Sequence, residues 1–196
     1  MIPKILVFAG SIRSGAFSGR TADVAQKVLA MQGADVTRIS LADYPMPIFD
    51  EDIEKESGIP ENVIKLARLL GAHDGLLLVT PEYNGSVSPL LKNAIDWVSI
   101  VRHDNGRQLK PMAGKAVAIC SSSKGHFAGV RAINHLRAIL LRCHMDIVTP
   151  ECSVPNGASA FDTGGDFVDQ KLRHAMELVA QALIERARIS STRGTV

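Results

Sequence analysis

The sequence predicts an α/β fold in which a parallel β-sheet is covered on both faces by helices. Three observations point there. The clearest apolar runs have strand length and are continuous: residues 5–9 (ILVFA), 75–80 (GLLLVT) and 116–121 (AVAICS). A continuous run marks a strand buried on both faces, whereas a strand with one wet face alternates. The stretches between these runs carry apolar residues at helical spacing. Strand and helix patterns alternate to the end of the chain, which is the signature of parallel crossover units.

Residues 5–9 make the first strand. A helix over 21–30 follows, with Ala22, Ala25, Val28 and Leu29 on one face. Residues 36–39 form a shorter second strand, and 44–58 form a loop rich in Pro and Asp. Pro60 suits the first turn of a helix whose inner face is Val63, Leu66, Ala67 and Leu70, and Gly71 is placed to end it. Residues 75–80 are the most apolar strand. The next helix, 89–98, buries Leu90, Leu91, Ala94, Ile95 and Val98. A polar loop over 102–114 leads to the fourth strand, 116–121. The helix over 127–142 turns Ile133, Leu136 and Leu140 inward, and residues 145–148 form a short fifth strand. A loop over 150–166 contains three Gly, and a last helix spans about 168–189. Five strands and five helices suit a flavodoxin-like doubly wound sheet of order 2-1-3-4-5. A six-stranded dinucleotide-binding sheet needs another strand, and none is found. No repeat, linker or low-complexity segment divides residues 1–196, so one domain is expected.

Composition narrows the function. The 196 residues, 46 % of them apolar, are enough for one sizeable core. No segment approaches the roughly 20 uninterrupted apolar residues of a membrane span. Met1 leads almost directly into the first strand, so no signal peptide is expected and the protein is placed in the cytoplasm. Cys120, Cys143 and Cys152 are odd in number and lack metal-ligand spacing, which reads as reduced thiols. Cys120, in a core strand, is expected as buried filler. Trp97 and His135 have structural readings: packing beneath a loop or at a subunit contact for Trp97, and a mid-helix position for His135. The formal net charge is +2. That is too small to imply nucleic-acid binding, and no Lys/Arg stripe with aromatics appears. It also argues against a small electron carrier, which uses strong charge to steer docking.

In this sheet order ligands bind outside the carboxyl ends of the strands, near the switch point between strands 1 and 3. Three loops leave that edge. The first, residues 10–19, has Gly10 and Gly15 at the spacing of an ATP-binding loop, but Ala16-Phe17 stands where Lys-Ser/Thr would be. No lysine reaches a β/γ-phosphate, and no hydroxyl is set for magnesium. Ser11, Arg13, Ser14, Ser18 and the amides of a helix start remain, and these suit one terminal phosphate. An ordinary solvated turn is the competing reading. The second loop, TPEYNGSVSP, holds the turn pair Asn84-Gly85, an aromatic surface at Tyr83 and a chain direction set by Pro81. It suits the edge of a flat heteroaromatic ring, or a plain turn with a packing Tyr. The third, SSSKGHFAG, is small and polar, with Gly125 and Gly129 permitting close approach. Lys124 could face a ligand, and His126 reads as a solvated loop residue. Together the loops suit a mononucleotide with a flat ring, and FMN is the natural candidate for this sheet order.

Two motifs carry a resemblance. One is Gly10-Ser11-Ile12-Arg13 followed by Phe17 and Ser18. The other is Pro81-Glu82-Tyr83-Asn84 followed by LKNAIDW at residues 91–97. With GK at 114–115 and HLR at 135–137, they make the chain resemble the NADPH-dependent FMN reductase family, which includes quinone, chromate and azo-dye reductases. The resemblance implies that Ser11, Arg13, Ser18 and amides around Phe17 bind the FMN phosphate. It implies that Pro81, Glu82, Tyr83, Asn84 and Gly85 line the isoalloxazine, mostly through backbone groups. Ser122, Ser123, Lys124 and Gly125 would flank the ring from the third loop. A homodimer or homotetramer is implied, with the flavin near the subunit interface. The chain departs from the family where Ala16 replaces a frequent Ser and Ser18 a frequent Asn. A lost neutral hydrogen bond costs about 1 kcal/mol, so looser FMN binding is expected, unless Arg20 turns inward to compensate.

The implied activity is passage of a hydride from NADPH or NADH, through FMN, to a small acceptor: a quinone, chromate, an azo or nitro compound, or free flavin. One shared open slot implies ping-pong kinetics, and no protein acid or base is required. Arg13, Lys124 and Arg102 are each candidates to meet a 2′-phosphate. Other readings are a flavodoxin-like electron carrier, a flavin-binding sensor without turnover, and a protein for a different phosphorylated metabolite.

Overall fold

The computed structural model describes residues 1–193. The chain runs β1 (Lys4–Ala9), α1 (Phe17–Met31), β2 (Asp35–Arg38), α2 (Glu51–Ser57), α3 (Glu61–Gly71), β3 (Gly75–Pro81), α4 (Pro89–Ile100), β4 (His103–Asp104), β5 (Arg107–Gln108), β6 (Ala116–Ser122), α5 (Val130–Arg142), β7 (Asp146–Ile147), β8 (Cys152–Val154) and α6 (Gln170–Arg193). The main sheet has the order β2-β1-β3-β6-β7, with β8 also on β6, and every pairing in it is parallel. β7 and β8 are two pieces of one fifth strand, so the expected 2-1-3-4-5 order is present. The ladder is interrupted at Pro150, which has no N–H to donate.

The continuous apolar strands serve two cores. Ile5, Val7, Leu77, Val79, Ala118 and Cys120 face α1 and α6. Their neighbours Leu6, Phe8, Leu76, Leu78, Val117 and Ile119 face α3, α4 and α5. Successive side chains point to opposite faces, so a strand between two helical layers must be apolar at every position. Cys120 and Cys152 are fully buried, and burial pushes both thiols up, Cys152 to about 12. Trp97 is fully buried and its indole N–H donates to the Pro47 carbonyl at 2.8 Å. Among the described residues no helix is long and apolar enough to cross a membrane.

Several boundaries differ from the sequence expectation. The loop at 44–58 contains α2, capped where Asp50 accepts the Asp52 N–H at 2.8 Å and closed by Gly58 at φ +76°. None of its residues is fully buried, so it has no apolar stripe to announce it. The polar stretch at 102–114 holds the β4–β5 hairpin. Asn105 and Gly106, at φ +48° and +76°, make its turn, and Asp104 pairs with Arg68 of α3 at 2.6 Å. The first helix begins at Phe17, four residues earlier than expected. α5 begins only at Val130, because Ala128 and Gly129 sit at φ +55° and +83°.

Candidate functional site

A cleft of about 540 Å³ opens at the carboxyl edge of β1, β3 and β6. The first loop forms its floor. Gly10 bonds to the Val79 carbonyl at 2.8 Å, and a Cβ there would stand 2.9 Å from Ser88 Oγ and 3.0 Å from Leu91 Cβ. Only glycine lets β1 pass this close to α4. Ser88 caps α4 and donates to the Gly10 carbonyl at 2.5 Å. The loop then turns through Gly15 at φ +66° and reaches the start of α1. The capping position is Ala16, which has no side-chain acceptor, and the first turn contains no acid. The amides of the first turn have no intrahelical acceptor, so this end of α1 carries open donors and the positive end of the helix dipole. The Ser18 hydroxyl is buried there without a partner. Ser11, Arg13, Ala16, Phe17 and Ser18 all line the cleft, with Arg13 exposed at the rim.

The second loop supplies Pro81, Glu82 and Tyr83 to the lining. Asn84 and Gly85, at φ +50° and +77°, form the turn itself, closed by two reciprocal bonds between Tyr83 and Ser86 at 2.9 and 3.0 Å. This is the backbone pattern of a two-residue hairpin turn with both central residues left-handed. Neither Asn84 nor Gly85 lines the cleft; the pair shapes the loop that presents Tyr83. The Glu82 carboxylate is directed at α5, accepting the Arg131 backbone N–H at 3.2 Å and pairing with its guanidinium at 3.1 Å. An acid at a helix N-terminus is favoured by the open amides and the dipole.

The third loop contributes Ser122, Ser123, Lys124 and Gly125. Ser122 is 2 % exposed and its hydroxyl, like that of Ser18, has no partner. Ser121 holds the loop closed by donating to the Ala128 carbonyl at 2.5 Å, and Ser123 donates to Gly125 at 3.0 Å. Phe127 and Arg131 also line the cleft and were absent from the sequence expectation. Phe127 falls both in the third loop, SSSKGHFAG, and in the first turn of the helix expected over 127–142, and neither pattern gives it a ligand role. With Glu82 tied to Arg131, Arg13 and Lys124 leave the cleft net positive. His126 is exposed, and His135 contacts Ser86 Oγ at 2.9 Å. Arg102 is elsewhere: it lines a separate groove of about 880 Å³ between α4, the β4–β5 region and α5. Among the described residues no acid, His or Cys cluster is suited to a metal ion.

Two buried, unpartnered hydroxyls, an uncapped helix start and a cleft within the usual range for small-molecule sites fit a phosphorylated ring ligand. Fold and cleft together define a flavodoxin-like, mononucleotide-binding class of protein. Residues 3–159 match the NADPH-dependent FMN reductase family, and the chain belongs to that family. It is similar to a quinone reductase of Escherichia coli, 40 % identical over 139 residues that cover 70 % of this chain and 69 % of that one. It is 34 % identical over 182 residues to an NAD(P)H-dependent FMN reductase of Pseudomonas aeruginosa, covering 92 % of both. A solved flavoenzyme NAD(P)H:(acceptor) oxidoreductase of Paracoccus denitrificans superposes with a TM-score of 0.79 at 24 % identity, over 96 % of this chain and 99 % of that one, and has the same fold. The chain is thus an oxidoreductase, with FMN as cofactor and NAD(P)H as co-substrate.

Proposed function

We propose that this protein reduces quinone-like small acceptors with NAD(P)H by a ping-pong mechanism, and that FMN is held in the cleft between the three loops. The observation that carries the assignment of the cleft is that two of the three buried, unpartnered hydroxyls among the described residues, Ser18 and Ser122, line it beside the uncapped end of α1; the third, Thr21, does not line it. A native fold seldom leaves such groups unsatisfied unless a ligand or water completes them. The quinone reductase of E. coli supports the acceptor class.

Bound FMN supplies the capacity to take a hydride from a nicotinamide and give it up again. The chain's own residues bind and orient. Ser18, Ser11 and the first amides of α1 would surround the phosphate, and Arg13 would add charge from the rim. The hairpin turn at Asn84-Gly85 would hold Pro81, Glu82 and Tyr83 along one edge of the ring, with Asn84 and Gly85 acting through the turn they form. Ser122, Ser123, Lys124 and Gly125 would flank it from the other side. Preorganised donors near the ring would favour the charge that accumulates on reduction. Lys124 is the cation of the third loop left for a 2′-phosphate, which favours NADPH. No side chain is assigned as a proton donor or acceptor. We read the chain as one domain, with both core layers on a single sheet, that works in the cytoplasm as a homodimer or homotetramer.

The test is an absorbance spectrum of the purified protein after FMN addition, followed by anaerobic NADPH. Yellow protein whose flavin bands bleach, then recover with a benzoquinone, is the expected result. A colourless protein that FMN cannot reconstitute refutes the reading. Flavin that binds but resists NADPH leaves only a carrier or sensor.

A further inference from the structure

The chain has six Phe, two Tyr and one Trp, and only Tyr83 and Phe127 are exposed, at 48 % and 65 %. Both line the same cleft, from two different loops. Burial of a phenyl ring is a large favourable term in folding, so a ring left mostly in water contributes little to the fold. Phe127 is nonetheless firmly held. Ala128 and Gly129 reverse the chain behind it at φ +55° and +83°. A Cβ on Gly129 would lie 2.9 Å from Ser121 Cβ, so the loop sits hard against β6. The Arg131 guanidinium is 5.2 Å from the Phe127 ring centroid, within cation–π range, and is itself fixed by Glu82 at 3.1 Å. The His126 ring is also edge-on to the Phe127 ring, with the two ring centroids 5.7 Å apart. An exposed apolar ring that is rigidly positioned at the mouth of a cleft is a preorganised surface for another flat ring.

Resting on the FMN reading of this cleft, we propose that Phe127 is a specificity-determining residue. It forms the wall against which the nicotinamide, and then the acceptor, packs its ring. Arg131 is a positioning residue that fixes Phe127 through its bond to Glu82. The acceptor class is therefore planar and conjugated, such as quinones, in preference to compact inorganic oxidants. Offset or edge stacking on an aromatic ring gives the geometric selection.

The test uses FMN-loaded wild type, Phe127→Ala and Phe127→Trp, with NADPH as donor and either a benzoquinone or ferricyanide as acceptor. In a ping-pong scheme kcat/KM for each substrate reports its own half-reaction. Phe127→Ala is expected to lose about tenfold in kcat/KM for benzoquinone and for NADPH, mainly through KM. Ferricyanide should change by less than about twofold on that same stacking argument, FMN affinity should hold, and Phe127→Trp should restore benzoquinone. Arg131→Ala should raise KM for benzoquinone by less than Phe127→Ala does, and Arg131→Lys, which keeps a cation beside Glu82, should reverse it; ferricyanide is compared only for the Phe127 variants, since Arg131→Ala also frees the Glu82 carboxylate. Equal effects on the two acceptors, or none, overturn the proposal. So does a change in sedimenting mass or FMN affinity for Phe127→Ala, which would place the ring in a subunit contact or in cofactor binding. If wild-type protein fails to bleach with NADPH, the FMN reading itself has failed; intact bleaching with unselective variants sinks the Phe127 assignment alone.

Discussion

Replacing Gly157 by Ala tests the phosphate cup from behind. Gly157 is buried in the loop after β8, and its φ lies outside the left-handed region, so alanine meets no backbone penalty there. Its Cβ, however, would fall 2.5 Å from Cγ and Cδ2 of Phe17 and 3.0 Å from the Phe17 Cβ. The ring atoms can swing aside. The Phe17 Cβ cannot retreat without moving the first turn of α1, the turn that carries Ser18. Overpacking of this kind costs about 1–3 kcal/mol. For a chain of this size each kcal/mol lowers Tm by about 2–4 °C, so the apoprotein should melt about 2–12 °C lower. Displaced amides would also lose hold on a charged phosphate. One hydrogen bond to a charged group is worth about 1.5–3 kcal/mol, which raises the Kd for FMN about 10- to 100-fold. Thermal unfolding of the apoprotein and a flavin fluorescence titration measure the two effects. A lowered Tm with wild-type FMN affinity would refute the link between Phe17 and the cup. No change in either would refute the packing argument.

Ser18→Ala should act with opposite signs in the two forms. Removing a buried, unpartnered hydroxyl should stabilise the apoprotein by about 1 kcal/mol, while FMN binding weakens about fivefold. Loss of stability in both forms would show that the hydroxyl is satisfied within the fold. Arg13→Ala should leave the apoprotein Tm unchanged, because the side chain is exposed, and weaken FMN about tenfold at low salt with less effect at high salt; unchanged affinity in a titration removes Arg13 from the site. Alkaline stability should depend on Cys152. Burial raises its thiol from 9.0 to about 12, so the folded state keeps a proton that the unfolded state releases. Its contribution is fully present below pH 9 and is lost as pH rises toward 12, at about 1.4 kcal/mol per pH unit. Denaturant melts of wild type and Cys152→Ala between pH 8 and 10.5 should show a shallower decline in the variant. Parallel declines would be contrary, and the comparison cancels Lys115, whose burial-lowered pKa acts in the opposite sense.

The parts of the fold that were legible in the sequence share one property: their local pattern and their burial agree. Residues 75–80 read as a central strand because both faces are covered, and β3 indeed pairs with β1 and β6. α2 has no apolar signature in the sequence because it buries no residue completely; its marker is the Asp50 cap, which is local and polar. The β4–β5 turn carried a legible signal, Asn105-Gly106, inside a segment too polar to suggest strands. In the site, the chemistry of the loops was visible as Gly, Ser and Arg at a strand end. Phe127 and Arg131 were hidden because helical periodicity absorbed them. Asn84-Gly85 was legible as a turn pair, and the backbone forms that turn, with Tyr83 and Ser86 bonded across it.

Residue pattern alone determined the layered α/β architecture and the three loops that carry the chemistry, because burial period and loop composition are local properties; the strand order followed only as the one that suits five strands and five helices, and the pairings between distant strands bear it out. The tertiary structure decided which side chains meet. It brought Ser18 and Ser122 to one cleft with their hydroxyls unpaired, tied Glu82 to Arg131 across 49 residues, and set Phe127 in the open. It also put Arg102 in a different groove from Arg13 and Lys124. Such pairings depend on how helices pack over a twisted sheet, and that packing is fixed by contacts between residues far apart in the chain.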